Sequence, residues 1–117
     1  MNKEIKVVIV DDHVMVREGL KKMLNTEAEI EVIGEAGNGK EALKVVTKLR
    51  PDVVVLDISM PEMGGLEAIS LLREAAPKTR IVILSMHGKE TIAQEALRAG
   101  ASAYILQKIL EEQKGYF

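Results

Sequence analysis

The chain has 117 residues, enough for one hydrophobic core, and its 47% hydrophobic content is typical of a soluble globular domain. Sixteen basic and eighteen acidic residues leave a net charge of −2, and the aromatic residues are two tyrosines and one phenylalanine. Neither a basic nucleic-acid-binding face nor a base-stacking platform is therefore expected. The absence of cysteine excludes disulfides and thiolate metal sites and suits a cytoplasmic protein, and the N-terminus has the pattern of neither a signal peptide nor a membrane span.

Two near-continuous aliphatic runs in the first half of the chain predict buried strands. They are Ile5–Val10 and Val53–Leu56, and each is followed directly by acidic residues, namely Asp11, Asp12 and Asp57. Such runs are typical of strands that helices cover on both faces of a parallel sheet. Between them, the alternating segment Ile30–Ile33 predicts a strand at the edge of the sheet.

Apolar residues at helical spacing predict helices between these strands. The three stripes are Val16, Leu20, Met23 and Leu24; then Ala42, Val45, Val46 and Leu49; then Leu66, Ile69, Leu72 and Ala76, which Pro77 stops. Gly34, Gly37 and Gly39 are interpreted as a loop before the second helix, and Asn38 with Glu41 is expected to cap that helix.

The second half of the chain continues the alternation of strand and helix. Arg80–Leu84 predicts a fourth strand that ends in Ser85, Thr91–Ala99 predicts a helix, and Ala101–Leu106 predicts a fifth strand. Lys108–Gln113 begins a further helix that has little room to finish, so the fifth helix is expected to be shortened or atypical.

Strand and helix alternate five times, which predicts an α/β fold with a doubly wound, five-stranded parallel sheet of the flavodoxin-like kind. Because the second strand has an edge pattern, the expected strand order is 2-1-3-4-5. The order then reverses between the first and third strands, where ligands bind in open parallel sheets. No linker or repeat divides the chain, so residues 1–117 are expected to form one domain.

Three acids and a hydroxyl are expected to meet at this reversal point. Adjacent strands lie about 4.8 Å apart, so Asp11, Asp12 and Asp57 must crowd together, which raises carboxyl pKa values unless a cation is present. Oxygen ligands suit Mg²⁺, and Mg²⁺ beside a free carboxylate is what phosphoryl transfer requires, with Ser85 able to offer a hydroxyl. For Asp57 alone, an acid that merely caps its loop is the plainer alternative. His13 and His87 are interpreted as loop residues rather than ligands.

Four segments resemble the receiver domain of bacterial two-component response regulators: VVIVDDH, VVVLDISMPEMGGLE, IVILSMH and EALRAGASAYIL. They occur in order over residues 5 to 108. The DDH start, the nearby MVREGL and the LSMH segment are most similar to receivers that precede a helix-turn-helix DNA-binding domain. Any such output domain is absent from this chain.

The resemblance implies that Asp57 accepts a phosphoryl group from the phosphohistidine of a partner sensor histidine kinase. Asp12 and Asp57 would bind Mg²⁺ (or Mn²⁺), Asp11 would act largely through water, and the backbone carbonyl of Ser59 would complete the protein ligands. The domain would then be a regulator rather than an enzyme, with at most self-phosphotransfer and autodephosphorylation. It would bind neither nucleic acid nor membrane directly.

The resemblance also implies a switch. Ser85 would be the hydroxyl that turns toward the phosphoryl group, and Tyr104 the aromatic residue that changes rotamer with it. Their movement would alter the face formed by the fourth helix, fifth strand and fifth helix, which is also the expected homodimer face. The family has a lysine three residues after the aromatic, where this chain has Gln107. A neutral amide replaces the lysine charge only in part, and Lys108 would point to the opposite face of a regular strand.

Two other interpretations stay open. Because of Gln107, the chain could be a pseudo-receiver that serves only as an interaction surface. An Mg²⁺-dependent aspartyl-phosphate phosphohydrolase is less favoured, because Ser59 stands where such enzymes carry a second catalytic acid and no cap domain is evident.

Overall fold

The computed structural model describes residues 5–57, 65–85 and 103–106. Five strands and three helices lie within these ranges: β1 (Ile5–Val10), α1 (Val14–Asn25), β2 (Ile30–Ala36), α2 (Gly39–Leu49), β3 (Val53–Asp57), α3 (Gly65–Ala75), β4 (Arg80–Ser85) and β5 (Ala103–Leu106). None of the three helices combines the length and the apolar character that crossing a membrane would require.

The five strands form one parallel sheet in the order β2-β1-β3-β4-β5, as predicted. Val10 of β1 pairs with Leu56 of β3, and Asp57 pairs with Leu84 of β4. Since all strands run in the same direction, their carboxyl ends lie at one edge of the sheet. The residues that follow β1 therefore lie next to the end of β3, which is the arrangement that the predicted strand order required.

The core lies between the central strands and the helices α2 and α3. Alternate strand residues face these helices and are fully buried, namely Val8, Val10, Val54, Leu56, Ile81 and Ile83. They pack against the apolar stripes of α2 and α3, which are Ala42, Val46, Ala68, Ile69 and Leu72. Val7 and Ile9, on the other face of β1, are also buried. A strand buried on both faces has no solvent side, which explains the continuous aliphatic run of β1.

Strand β2 is longer than the alternating pattern predicted, and this corrects the interpretation of Gly34 as a loop residue. Val7 pairs with Val32 and Val8 with Gly34, so Ile33 is an extra residue that bulges out of the pairing. The bulge breaks the alternation at the point where the predicted strand ended. A Cβ on Gly34 would lie 2.8 Å from Cδ1 of Leu49, so the glycine lets α2 pack closely on the strand.

Helix α2 begins at Gly39 with the cap that the sequence predicted, so Gly39 is also part of a helix rather than of a loop. The Asn38 side chain accepts a hydrogen bond from the Glu41 amide at 2.8 Å, and the Glu41 carboxylate accepts one from the Gly37 amide at 3.4 Å. The first bond satisfies a backbone donor that the start of a helix leaves free, and the second satisfies the amide of the residue before the cap.

The remaining predicted elements lie outside the described residues. They are the helix over Thr91–Ala99 and the segment Lys108–Gln113, so the expectation of a shortened fifth helix stays a prediction. Strand β5 (Ala103–Leu106) falls within the predicted range Ala101–Leu106.

Candidate functional site

Asp11, Asp12 and Asp57 come together at the carboxyl edge of the sheet. Asp57 is the last residue of β3 and Asp11 follows β1 directly, and the two residues are only 6% and 2% exposed. One ligand atom from each of the three acids, and one ring nitrogen of His13, all lie within 4.8 Å of one another. The grouping of the three acids agrees with the sequence prediction, whereas the approach of His13 was not predicted.

Burial raises the pKa of the Asp11 carboxyl above its ordinary value, and the nearby negative charge of Asp57 raises it further. The backbone amide of His13 donates a 2.8 Å hydrogen bond to Asp11 Oδ1, which opposes these effects in part. This bond within the loop does not offset the cost of ionising the buried Asp11 beside another acid. A bound cation would relieve that cost.

The donor set fits a divalent cation that prefers oxygen ligands. Two oxygens bound to one Mg²⁺ at about 2.1 Å lie about 3 Å apart when adjacent and about 4.2 Å apart when opposite. Ligand atoms within 4.8 Å of one another need only small adjustments to reach these separations. Oδ1 of Asp12 is also shielded from water and accepts no hydrogen bond of acceptable geometry, although Nδ1 of His13 lies 2.9 Å away. A buried carboxylate oxygen in this condition is suited to receive a cation.

Arg17 joins the loop that carries Asp11 to strand β2 at the edge of the sheet. The sequence did not predict a role for this residue. Its Nη1 donates a 2.7 Å hydrogen bond to the Asp11 carbonyl, and its Nε donates a 3.0 Å bond to Oε1 of Glu35 on β2. The hydrogen bond from Arg17 holds the pKa of the Glu35 carboxyl below its ordinary value, and Lys21, 3.3 Å from Oε2, adds to the effect. Arg17 and Lys21 are four residues apart on α1, and this spacing could have indicated a shared acidic partner.

The backbone at the end of β4 lies beside Asp57, whose pairing partner is Leu84, so Ser85 is the next residue along the neighbouring strand. Tyr104 pairs with Ile83. The side chains of Ser85 and Tyr104, and residues Ser59, His87 and Gln107 altogether, lie outside the described part of the molecule. Their expected roles stay predictions.

Residues 7–114 match the family model of the response regulator receiver domain. The chain belongs to this family. The resemblance found in the four sequence segments is thus confirmed, and so is the fold that it implied.

Individual relatives agree with this assignment. The chain is 43% identical over 109 residues to the Bacillus subtilis transcriptional regulatory protein YhcZ, covering 93% of this chain and 51% of that protein. The signal receiver domain of the response regulator NarL from Mycobacterium tuberculosis superposes with a TM-score of 0.84 at 32% identity, covering 97% of this chain and 99% of that chain. A CheX–CheY–BeF₃–Mg²⁺ complex from Borrelia burgdorferi superposes with a TM-score of 0.83 at 30% identity, covering 97% and 89%.

The chain spans about half the length of the curated relatives that it matches, which include transcriptional regulatory proteins and nitrate/nitrite response regulators. The part of those proteins that it matches is the receiver domain, as the family model also shows.

Proposed function

We propose that this receiver accepts a phosphoryl group on Asp57 from a sensor histidine kinase, with Mg²⁺ or Mn²⁺ held by the acidic loop after β1. The observation that carries the proposal is the cluster itself, in which two nearly buried acids and a third, partly exposed acid converge at the end of β3. The solved CheY relative contains Mg²⁺ and BeF₃, a phosphomimetic, which supports a site of this chemistry in a protein of the same fold.

Each residue has a distinct part in the proposal. Asp57 supplies the nucleophilic oxygen, which forms a bond to phosphorus while the bond to the kinase histidine breaks. Asp12, Asp57 and the backbone carbonyl of Ser59 would ligate the cation, and Asp11 would act largely through water. The cation supplies positive charge toward the phosphoryl oxygens. Arg17 and the amide of His13 hold Asp11 in place, through its carbonyl and its carboxylate respectively.

The output is proposed to be transcription, through an output domain in the full-length protein, because the curated relatives that the chain matches are transcriptional regulators of about twice its length. Ser85 and Tyr104 would transmit phosphorylation to the face formed by the fourth helix, β5 and the fifth helix. Homodimerisation through that face is part of the same proposal. Under this proposal the domain works in the cytoplasm and has no catalytic role beyond its own phosphorylation and dephosphorylation.

Acetyl phosphate provides the direct test. The protein is incubated with acetyl phosphate in the presence and absence of Mg²⁺, and intact mass spectrometry measures the phosphoryl adduct. We expect a Mg²⁺-dependent adduct that is absent in Asp57→Asn and unchanged in Asp52→Asn. Asp52 is a matched control, because it lies at the opposite edge of the sheet and accepts a hydrogen bond from the Lys6 amide that asparagine can also accept. Labelling that persists in Asp57→Asn would refute the proposal.

Gln107 favours a second candidate function, a pseudo-receiver that serves as an interaction module and whose phosphorylation-dependent switching is impaired. We infer that phosphorylation still occurs and that its coupling to Tyr104 is weakened, because an amide cannot supply the charge of the usual lysine. Gln107→Lys should then increase the phosphorylation rate or the phosphorylation-induced change in the NMR signals of Tyr104. If it leaves both unaltered, Gln107 does not limit the switch.

A further inference from the structure

A hydrogen bond from its own backbone amide holds His13 beside the acidic site. It is the N-cap residue of α1, its amide donates to Asp11 Oδ1 at 2.8 Å, and its ring Nδ1 lies 3.2 Å from the same oxygen. The same nitrogen lies 2.9 Å from Oδ1 of Asp12. The ring is 68% exposed, so its position depends on the short Asp11–His13 loop rather than on burial in the core.

An imidazole nitrogen changes which cations a carboxylate site prefers. Carboxylate oxygens alone suit Mg²⁺, whereas imidazole is a good ligand for Zn²⁺, Cu²⁺ and Ni²⁺ and a poor partner for Mg²⁺. One ring nitrogen of His13 and one oxygen each from Asp11, Asp12 and Asp57 lie within 4.8 Å of one another, which is close to the span of ligands around one ion. The exposed side of the ring leaves Nε2 free to carry the proton when Nδ1 binds a metal.

We propose that His13 is a selectivity-determining ligand, through which this site binds first-row transition-metal ions in addition to Mg²⁺. The inference rests on the metal site of the proposed function and specifies it further. Which ion occupies the site would then depend on the transition metals available, because Nδ1 of His13 acts as a ligand only for those ions. For Mg²⁺, His13 contributes little beyond the hydrogen bond that its backbone amide donates to Asp11.

The test compares Ni²⁺ and Mg²⁺ binding by isothermal titration calorimetry at pH 8, using protein without a histidine tag. His13→Asn removes the imidazole but keeps a good N-cap residue and the backbone amide that contacts Asp11. We expect the Ni²⁺ affinity to fall by about tenfold or more, as loss of a metal-site group commonly causes. The Mg²⁺ affinity should stay within about threefold, because Mg²⁺ is held by oxygen ligands.

Three further variants assign the signal to this site. Met15→Ala, at an exposed residue two positions along the chain, should leave both affinities unchanged. In the His87→Asn variant His13 is the only remaining histidine, so this variant should still prefer Ni²⁺ as the wild type does. Asp57→Asn should weaken the binding of both Ni²⁺ and Mg²⁺. In the wild type, Ni²⁺ should also broaden the NMR signals of the His13 ring before those of His87.

Unchanged Ni²⁺ binding in His13→Asn, with Mg²⁺ binding intact and sensitive to Asp57→Asn, would overturn the role of His13 and leave the phosphoacceptor proposal standing. Tighter Mg²⁺ binding in His13→Asn, with Ni²⁺ unchanged, would also overturn it, because the ring would then be a competitor for the acids. Failure of the wild type to bind Mg²⁺ would remove the metal site itself, and with it both proposals.

Discussion

The two edges of the sheet use acidic residues in opposite ways. At the amino edge, Asp52 accepts a 2.8 Å hydrogen bond from the Lys6 amide, and its own backbone bonds to Lys6 and Arg80. At the carboxyl edge, Asp11 and Asp57 are nearly buried beside each other, and burial raises the pKa of the Asp11 carboxyl. The amino edge therefore stabilises the fold, whereas the carboxyl edge keeps negative charge at a cost in stability that a cation can relieve.

Among the substitutions considered, we expect the largest loss of folding stability from a change at Thr79, at the amino edge. Its hydroxyl is buried and donates a 2.8 Å hydrogen bond to the Pro51 carbonyl. Thr79→Val should lower the free energy of unfolding by about 1–3 kcal/mol, because the carbonyl loses its partner. Urea denaturation measures the change, and Thr47→Val on the exposed face of α2 is the matched control. Mg²⁺ affinity should not change. A variant that lost Mg²⁺ binding would contradict the separation of the two edges.

Asp11→Asn should have the opposite effect on folding. Asparagine can still accept the bond from the His13 amide, but it carries no charge beside Asp57. Without Mg²⁺ the variant should be more stable than the wild type near neutral pH, by on the order of 1 kcal/mol for each unit by which the pKa of Asp11 is raised. Mg²⁺ should stabilise the wild type more than the variant. Thermal denaturation with Mg²⁺ and with a chelator measures both differences, and a less stable variant would show that the charge carries no cost.

Arg17 links a structural ion pair to the acidic loop, because it bonds both to Glu35 and to the Asp11 carbonyl. Arg17→Met should weaken Mg²⁺ binding several-fold, since residues that orient metal ligands commonly change affinity by about 10–100-fold and this one acts through the backbone of Asp11. Lys21→Met removes a contact to the same Glu35 without touching Asp11, so it should leave Mg²⁺ affinity unchanged. Calorimetry gives both affinities. Equal effects of the two variants would mean that Arg17 acts only through Glu35.

Glu35 should give the smallest effect, visible as a dependence on pH. Its pKa is lowered in the folded protein, so its contribution to stability is present above its ordinary pKa of about 4.5 and is lost as the pH falls through the folded value. The wild type should exceed Glu35→Gln in stability by less than about 1 kcal/mol at pH 7, as for other partly exposed ion pairs. Denaturant titrations should show this difference shrinking as the solution is made more acidic. If the stability difference grew on acidification, the pKa of Glu35 would be raised in the folded protein rather than lowered.

The sequence was most informative where burial left a strong pattern. The aliphatic runs of β1 and β3 predicted the sheet and its reversal point, and from these the meeting of Asp11, Asp12 and Asp57. It was less informative at β2, because the bulge at Ile33 breaks the alternation that defined the strand. Gly34 has the pattern of a loop residue, yet it lies in a strand where α2 packs closely.

Contacts between elements were the hardest to predict. Arg17 reaches Glu35 only because α1 packs beside β2, and its bond to the Asp11 carbonyl involves a backbone atom that carries no sequence signal. His13 approaches the acids because its backbone amide bonds to the Asp11 carboxylate, which residue type alone does not indicate. Spacing on a helix can indicate which side chains share a face, but the partner depends on the packing.

The most direct test of phosphorylation at Asp57 is to locate the phosphoryl group chemically. Protein treated with acetyl phosphate and Mg²⁺ is reduced with borohydride, which converts an aspartyl phosphate to homoserine, and tandem mass spectrometry then finds the converted residue. We expect homoserine at position 57 only, and none when Mg²⁺ is removed by a chelator. Homoserine at another acid, or conversion at Asp57 that is independent of the cation, would contradict this expectation.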